Sequence, residues 1–393
     1  MARRRKKSLS AKSILLSIVL LIIGALGCYL YKANEPPATP PSPPIPPTSV
    51  NGTMSFHFMS LGNEFTGDCI YVKAGDNDIL IDAGSIAGSV PYIKNYVNTY
   101  VTDNKLEYVI VTHADEDHIA GFAATNSIFD AYECQTIIDF NETNKKLLTD
   151  KGNPTLYSKY IQNREEEIQN GAKHYTALEC YNNQNGAKRV YELTYDGSVK
   201  MEILYNYYYE NWNSDENNYS VCVMFYHGDR QFLFTGDLEE EGEIKLAEKY
   251  DFTQVKLFKA GHHGSKTSSN ECLLKEIQPK ICVVSCCAGS IERKTALENL
   301  FPSQLMIERI SKYTDKVYVP LMMEIIQVEG ADTPNDTSDD KYENAEQYEM
   351  LNGNIVVVSA KDGVSVECSN NNTLLKDTVW FSKYRTTPDA WLN

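Results

Sequence analysis

Two histidines and three acids crowd into six positions of "VIVTHADEDHIAG", Val109 to Gly121: His113, Asp115, Glu116, Asp117 and His118. Further along, Asp237 closes "FLFTGD", and His262 and His263 stand together in "VKLFKAGHHGSKTS". Each has an ordinary explanation when taken singly. An aspartate at a strand end caps a turn, a lone histidine sits on the surface or in the core, and an acidic run is solvated. Together they are three groups of nitrogen and oxygen donors, each following a hydrophobic run. A hard-to-borderline divalent cation that must keep positions open for water needs such a set, and the chemistry it supports is hydrolysis by activated water.

The segments before these groups read as strands of an α/β layer structure. "CIYVKAGDNDILIDAG", Cys69 to Gly84, forms two short strands around a turn rich in Gly, Asp and Asn. Val90, Ile93, Val97 and Val101 are spaced for one helical face, and "LEYVIVT" is a short buried strand. Strand, helix, strand is the pattern in which ligands gather at C-terminal strand ends. "YSVCVMFYHGDRQFLFTGD" gives two more strands around a His-Gly-Asp turn. "LEEEGEIKLAEKYD" follows as a helix with acids at its N-terminus, where they suit the dipole. "PKICVVSCCAG" is a further buried strand and "GNIVVVSAKDGVSVEC" a final hairpin. Residues 140–215 read as an excursion between core strands, with the Tyr207 to Trp212 aromatics packing or lining a cleft. Residues 329–349 read as a mobile acidic loop.

"THADEDHIAG" resembles the His-x-His-x-Asp-His metal motif of the metallo-β-lactamase superfamily, with Asp115 in place of the second histidine. "LIDAG" with Asp82, "FTGD" with Asp237 and "AGHHGSKTS" resemble its other motifs, and the aspartate variant is similar to the hydrolase domain of ComEC-type competence proteins. The resemblance implies a four-layer αββα sandwich and two divalent metal ions, zinc or manganese. It gives His113 and Asp115 to one ion. It gives Asp117, His118 and either His263 or His262 to the other, with Asp237 bridging. Asp82 would orient the ligand loops. Asp117 would hold the attacking water as well as a metal, and His262 would face the departing oxygen. Ser265 and Lys266 either contact a phosphate or form a capped surface turn. The family's third-motif histidine has no counterpart, and Asn218 or Ser220 occupies that region, facing substrate. An oxygen-rich first site of this kind tilts preference toward manganese. The opening family motif survives only as "SLGNEFTGD", Ser60 to Asp68.

The N-terminus sets the expected location. After the basic residues 1–13 comes "ILLSIVLLIIGALGCYLY", Ile14 to Tyr31, an uncharged run that would extend roughly 27 Å as a helix. Basic residues on its N-terminal side predict a single-pass cell-membrane anchor with the following domain extracellular; cleavage and lipidation at Cys28 are the alternatives. Residues 34–50 hold eight prolines and predict an extended spacer, so the hydrolase domain is expected over 54–380. With its seven basic residues removed, the segment beyond residue 32 has 30 basic against 53 acidic residues, near −23. That balance opposes nonspecific attraction to nucleic acid. Nine cysteines outside the anchor show no framework spacing and read as buried thiols.

The expected partners are therefore the membrane, through the N-terminal helix, and a phosphodiester substrate, DNA among the candidates. A cell-envelope phosphoesterase, a lactone or β-lactam hydrolase, and a non-catalytic surface-binding module are the alternatives. A lone anchor excludes a DNA-conducting channel.

Overall fold

The protein is described here by a computed structural model covering residues 52–63, 65–290, 299–328 and 341–392. The expected tail, anchor and spacer lie outside these residues; among the described residues no helix is long and apolar enough to cross a membrane.

One sheet begins with β1 (Met54–Phe58), β2 (Ile70–Ala74), β3 (Asn77–Ile81), β4 (Lys105–Ile110), β5 (Glu133–Asp139) and β6 (Lys173–Thr176). A second contains β7 (Val190–Glu192), β8 (Val199–Leu204), β9 (Cys222–His227), β10 (Arg230–Phe234), β11 (Leu257–Lys259) and β12 (Cys282–Val283). After β13 (Cys287–Ala288), β14 (Val317–Tyr318) joins the second sheet, and β15 (Leu321–Val328) pairs with β13 and β16 (Lys341–Met350). β17 (Ile355–Ala360) and β18 (Gly363–Cys368) return to the first sheet, whose order is β18-β17-β1-β2-β3-β4-β5-β6. The second sheet runs β14-β12-β11-β10-β9-β8-β7.

Period-2 alternation explains why the sheets stack. On β9 and β10, Val223, Phe225, Phe232 and Phe234 join the core shared with the first sheet. The intervening Cys222, Met224 and Leu233 join a second core built with helices Glu240–Lys249, Glu271–Ile277 and Gln304–Ile310. Phe56 of β1 meets Phe232 with ring centroids 4.8 Å apart and Phe225 at 5.4 Å. Its neighbour His57 points the other way, to Tyr96 of helix Val90–Val97, at 2.8 Å. That helix buries Val90, Ile93 and Val97, as the spacing predicts. Helices thus cover both outer faces of a mixed α/β sandwich.

Three readings from sequence change. Residues 140–215 are not a mere excursion: they supply β6, β7 and β8, and Tyr160, Met201 and Ile203 are core residues. Polar composition obscured strands whose other face is solvated. Part of the acidic 329–349 segment is not a loop, because Lys341–Met350 pairs antiparallel with β15 and its backbone is satisfied by that ladder. Packing also continues beyond residue 380, where Arg385 donates to Pro302 and Leu300 carbonyls and Trp391 to that of Thr314.

Candidate metal centre

The candidate donors sit on loops leaving the C-terminal ends of β3, β4, β10 and β11. β3 and β4 are parallel neighbours, as are β10 and β11, so their outgoing loops meet at one end of the sandwich. The loops are tightly tied. Asp82 N donates to Ile110 O at 2.9 Å, Ala83 N to His118 O at 2.9 Å, and Asp68 N to Asp117 O at 3.0 Å. Glycine is required where they cross: a Cβ on Gly84 would lie 1.5 Å from the Asp117 carbonyl oxygen. Gly236 has φ 55°, and a Cβ there would lie 2.7 Å from Ser220 Oγ.

Asp117, His118, Asp237 and His263 converge, each offering an atom within 4.8 Å of the others. Asp237 Oδ2 lies 3.1 Å from His118 Nε2 and 3.0 Å from His263 Nε2, and Asp117 Oδ2 lies 3.2 Å from His263 Nε2. His263 Nε2 is buried and, despite these short distances, has no aligned hydrogen bond. Both His118 and His263 have their other ring nitrogen occupied, Nδ1 of His118 by Asp82 Oδ2 at 2.8 Å and Nδ1 of His263 by Ser285 O at 2.9 Å. Those contacts put the proton on Nδ1 and aim the Nε2 lone pairs into the cluster. The donor set, with a buried His263 Nε2 that makes no aligned hydrogen bond, fits a divalent ion.

Burial alone would neutralise this cluster, but opposite charges prevail. It disfavours protonated His118 and His263, yet Asp237 and its neighbouring carboxylates hold both rings well above the usual histidine range. Burial likewise opposes ionised Asp237, while His263, Lys259 and His118 hold its carboxyl well below the usual range. The carboxylates demand cations, and protons on the histidines supply them where no ion does.

His113 and Asp115 form a separate pair, His113 Nε2 to Asp115 Oδ2 at 3.5 Å. His113 Nε2 is also buried without a hydrogen-bond partner. The His113 and His118 rings are 4.1 Å apart, so the pair adjoins the four-donor cluster. Lys145 contacts the other oxygen of Asp115. Glu216 fixes that lysine's loop, accepting from Thr143 Oγ1 and Asn144 N at 2.7 Å and from Ala114 N at 3.2 Å.

Of the paired histidines, His263 enters the cluster. His262 turns aside, its Nδ1 3.3 Å from Glu239 Oε1 and 3.2 Å from Thr267 Oγ1. Both occupy the left-handed region, at φ 45° and 51°, and this strained turn is what splits adjacent side chains. Asp82 accepts from Thr112 N and Oγ1 as well as His118. Ser220 Oγ donates to Asn217 O and accepts from Asp237 N, and Asn218 Oδ1 accepts from Glu239 N, so both side chains hold loops. It is Asn217 whose side chain approaches His262, at 3.5 Å. Ser265 is buried beside Thr267, and the Lys266 carbonyl accepts from Arg309. Outside the site, His174 bonds Asp139 and His227 bonds Ser359.

Sequence reasoning missed Lys259 and understated Asp68. The Lys259 ammonium is buried 2.5 Å from Asp68 Oδ2, 3.1 Å from Asp237 Oδ1 and 3.0 Å from Gly236 O. A lysine at the end of "KLFK" reads as an edge residue; only Asp68, before β2, and Asp237, after β10, explain its burial. The weakened "FTGD" before β2 was the available signal for Asp68.

Residues 62–131 and 212–288 match the family model described as the metallo-beta-lactamase superfamily. The two matched segments carry the candidate metal site, Asp117 and His118 in the first and Asp237 and His263 in the second. Among curated proteins the chain is similar to competence proteins: 30% identical over 104 residues to ComE operon protein 3 of Bacillus subtilis, covering 26% of this chain and 12% of that protein. It is 27% identical over 222 residues to Competence protein ComA of Neisseria gonorrhoeae, covering 56% of this chain and 25% of that one. The matches span a quarter or less of these relatives' lengths. Among solved structures, the metallo-beta-lactamase fold protein YhfI from Bacillus subtilis aligns at 13% identity over 68% of this chain and 95% of its own, with a TM-score of 0.39.

Proposed function

We propose that the protein is a membrane-anchored, outward-facing hydrolase of phosphodiester bonds. The convergence of Asp117, His118, Asp237 and His263, each offering an atom within 4.8 Å of the others, carries this reading. These four residues would hold one divalent ion, and His113 with Asp115 would contribute to a second beside it. When bound, such ions lower the pKa of water and offset charge on phosphoryl oxygens.

The chain's own residues supply the rest. Asp117, the most exposed of the four donors, accepts a proton from the attacking water. Asp82 and the Ser285 carbonyl keep His118 and His263 in the ligating tautomer. His262, with Glu239 at Nδ1 to stabilise a proton-carrying ring, protonates the departing oxygen. Lys145 presents positive charge at the mouth of the site, beside Asp115. That charge and the oxygen-rich donors favour an anionic ester over a lactam. DNA as substrate draws support from the competence relatives and is opposed by the acidic balance of the chain. Anchoring rests on the 14–31 run.

The test uses the full chain in detergent with manganese or zinc, comparing single-stranded DNA with a small aryl phosphodiester at two salt concentrations. Metal-dependent cleavage of both is the expected result. Cleavage of the small ester alone removes DNA from the proposal, and less than one bound ion with no stimulated activity removes the enzyme.

A further inference from the structure

At the opposite ends of the metal-bearing strands lies a basic depression of about 530 Å³. Arg230 opens β10, Lys256 precedes β11, Lys280 precedes β12 and Lys316 precedes β14, and these are four consecutive strands of the second sheet. The register brings them to one edge of the sheet. Phe258 partners Cys282 and Cys282 partners Val317, so Lys256 and Lys280 are level and Lys316 is one residue off. Lys256 N donates to Gln231 O, which brings Arg230 to the same edge. At roughly 4.8 Å between neighbouring strands, the four strand ends span roughly 14 Å.

Several lysines elsewhere on this acid-rich chain find carboxylates, as Lys73 does in Asp78, Lys245 in Glu248 and Lys312 in Glu271. Here they do not: among the described residues none of the four cations forms an ion pair with a carboxylate. The one acid lining the depression, Asp315, is paired with Lys376 at 2.6 Å. The Arg230 guanidinium is held by the carbonyls of Ala360 and Gly363 and by Ser359 Oγ, which fix its position without neutralising its charge. Repulsion within such a group is relieved by an anion that reaches several of its members at once.

We propose that this depression binds a compact oligophosphate, separately from the hydrolytic site. β10 alone separates the two by roughly 16 Å, so one small ligand does not reach both. Several phosphates in one compact ligand match several cations lining one depression. A compact ligand is favoured over a long polyanion because the surrounding surface carries excess acid, and its repulsion acts beyond the patch within a Debye length.

Calorimetric titration of the full chain in detergent and chelator with tripolyphosphate, at low and physiological salt, tests this. Wild type is expected to bind tripolyphosphate more tightly than orthophosphate. The Lys280→Glu/Lys316→Glu variant should lose tenfold or more, and Asp117→Asn should lose nothing. Both lysines are exposed, so the fold tolerates the change, and Lys280→Gln/Lys316→Gln checks that charge loss suffices. Because Arg3 to Lys7 are common to all variants, the difference isolates the depression. Equal binding by wild type and the reversed variant, no binding by wild type, or a loss in Asp117→Asn would each overturn the proposal. A larger loss for a single-stranded oligonucleotide than for tripolyphosphate would overturn the compact ligand.

Discussion

Replacing Asp82 with asparagine tests whether histidine orientation builds the centre. Asp82 Oδ2 accepts from His118 Nδ1 at 2.8 Å and from Thr112 Oγ1 at 2.7 Å, while Oδ1 accepts from Thr112 N at 2.8 Å. Asparagine can still accept from Thr112 N, but its amide then presents N–H to His118 Nδ1. The ring must answer as an acceptor, which moves its proton to Nε2, the atom facing Asp237 at 3.1 Å. A protonated Nε2 has no lone pair for an ion. Loss of such an orienting partner costs 10–100-fold in metal affinity, about 1.4–2.8 kcal/mol. Asp82→Ala removes the anchor without forcing the wrong tautomer, so its loss should be the smaller. The assay is calorimetric titration with manganese, with far-ultraviolet dichroism to confirm folding. Affinity in Asp82→Asn within threefold of wild type, or a greater loss in Asp82→Ala, would refute the tautomer argument.

Three further outcomes are expected. Lys259→Met strands the buried carboxylates of Asp68 and Asp237 and should cost about 3–5 kcal/mol in urea unfolding of the metal-free protein; a loss below ~1 kcal/mol would show that the ammonium is dispensable. Lys145→Met frees Asp115, so a second equivalent of manganese should bind more tightly at low salt, and weaker binding would count against competition between lysine and ion. Burial lowers the His57 pKa from 6.5 to about 4, so its neutral form stabilises the fold fully above pH 6.5 and that contribution is lost as pH falls toward 4. The loss amounts to about 3 kcal/mol. His57→Gln should flatten that part of the stability profile, and an unchanged slope in thermal melts would exclude His57 as its source.

Much was legible before any coordinates. Short apolar runs joined by turn residues located β2, β3, β9, β10, β17 and β18, because a hairpin writes both its strands and its turn into one local stretch of chain. The donor residues were legible for a similar reason: they are local, each following its own strand directly. Acidic and Asn-rich composition hid β6 to β8 and β16, whose stability comes from pairing with distant partners rather than from their own pattern. The cysteines read correctly as free thiols, mostly buried.

The chain alone determined which side chains can donate to an ion and that loops from parallel strands carry them. Only the tertiary structure decided their division of labour. It turned His263 inward and His262 toward Glu239 through two left-handed residues, and it brought Lys259 and Asp68 behind Asp237. It also set Lys145 against Asp115 and brought four cations to the far edge. The physical reason is separation: donor identity is a property of short segments, whereas charge compensation joins residues tens to nearly two hundred positions apart, and sheet register alone fixes which of them meet.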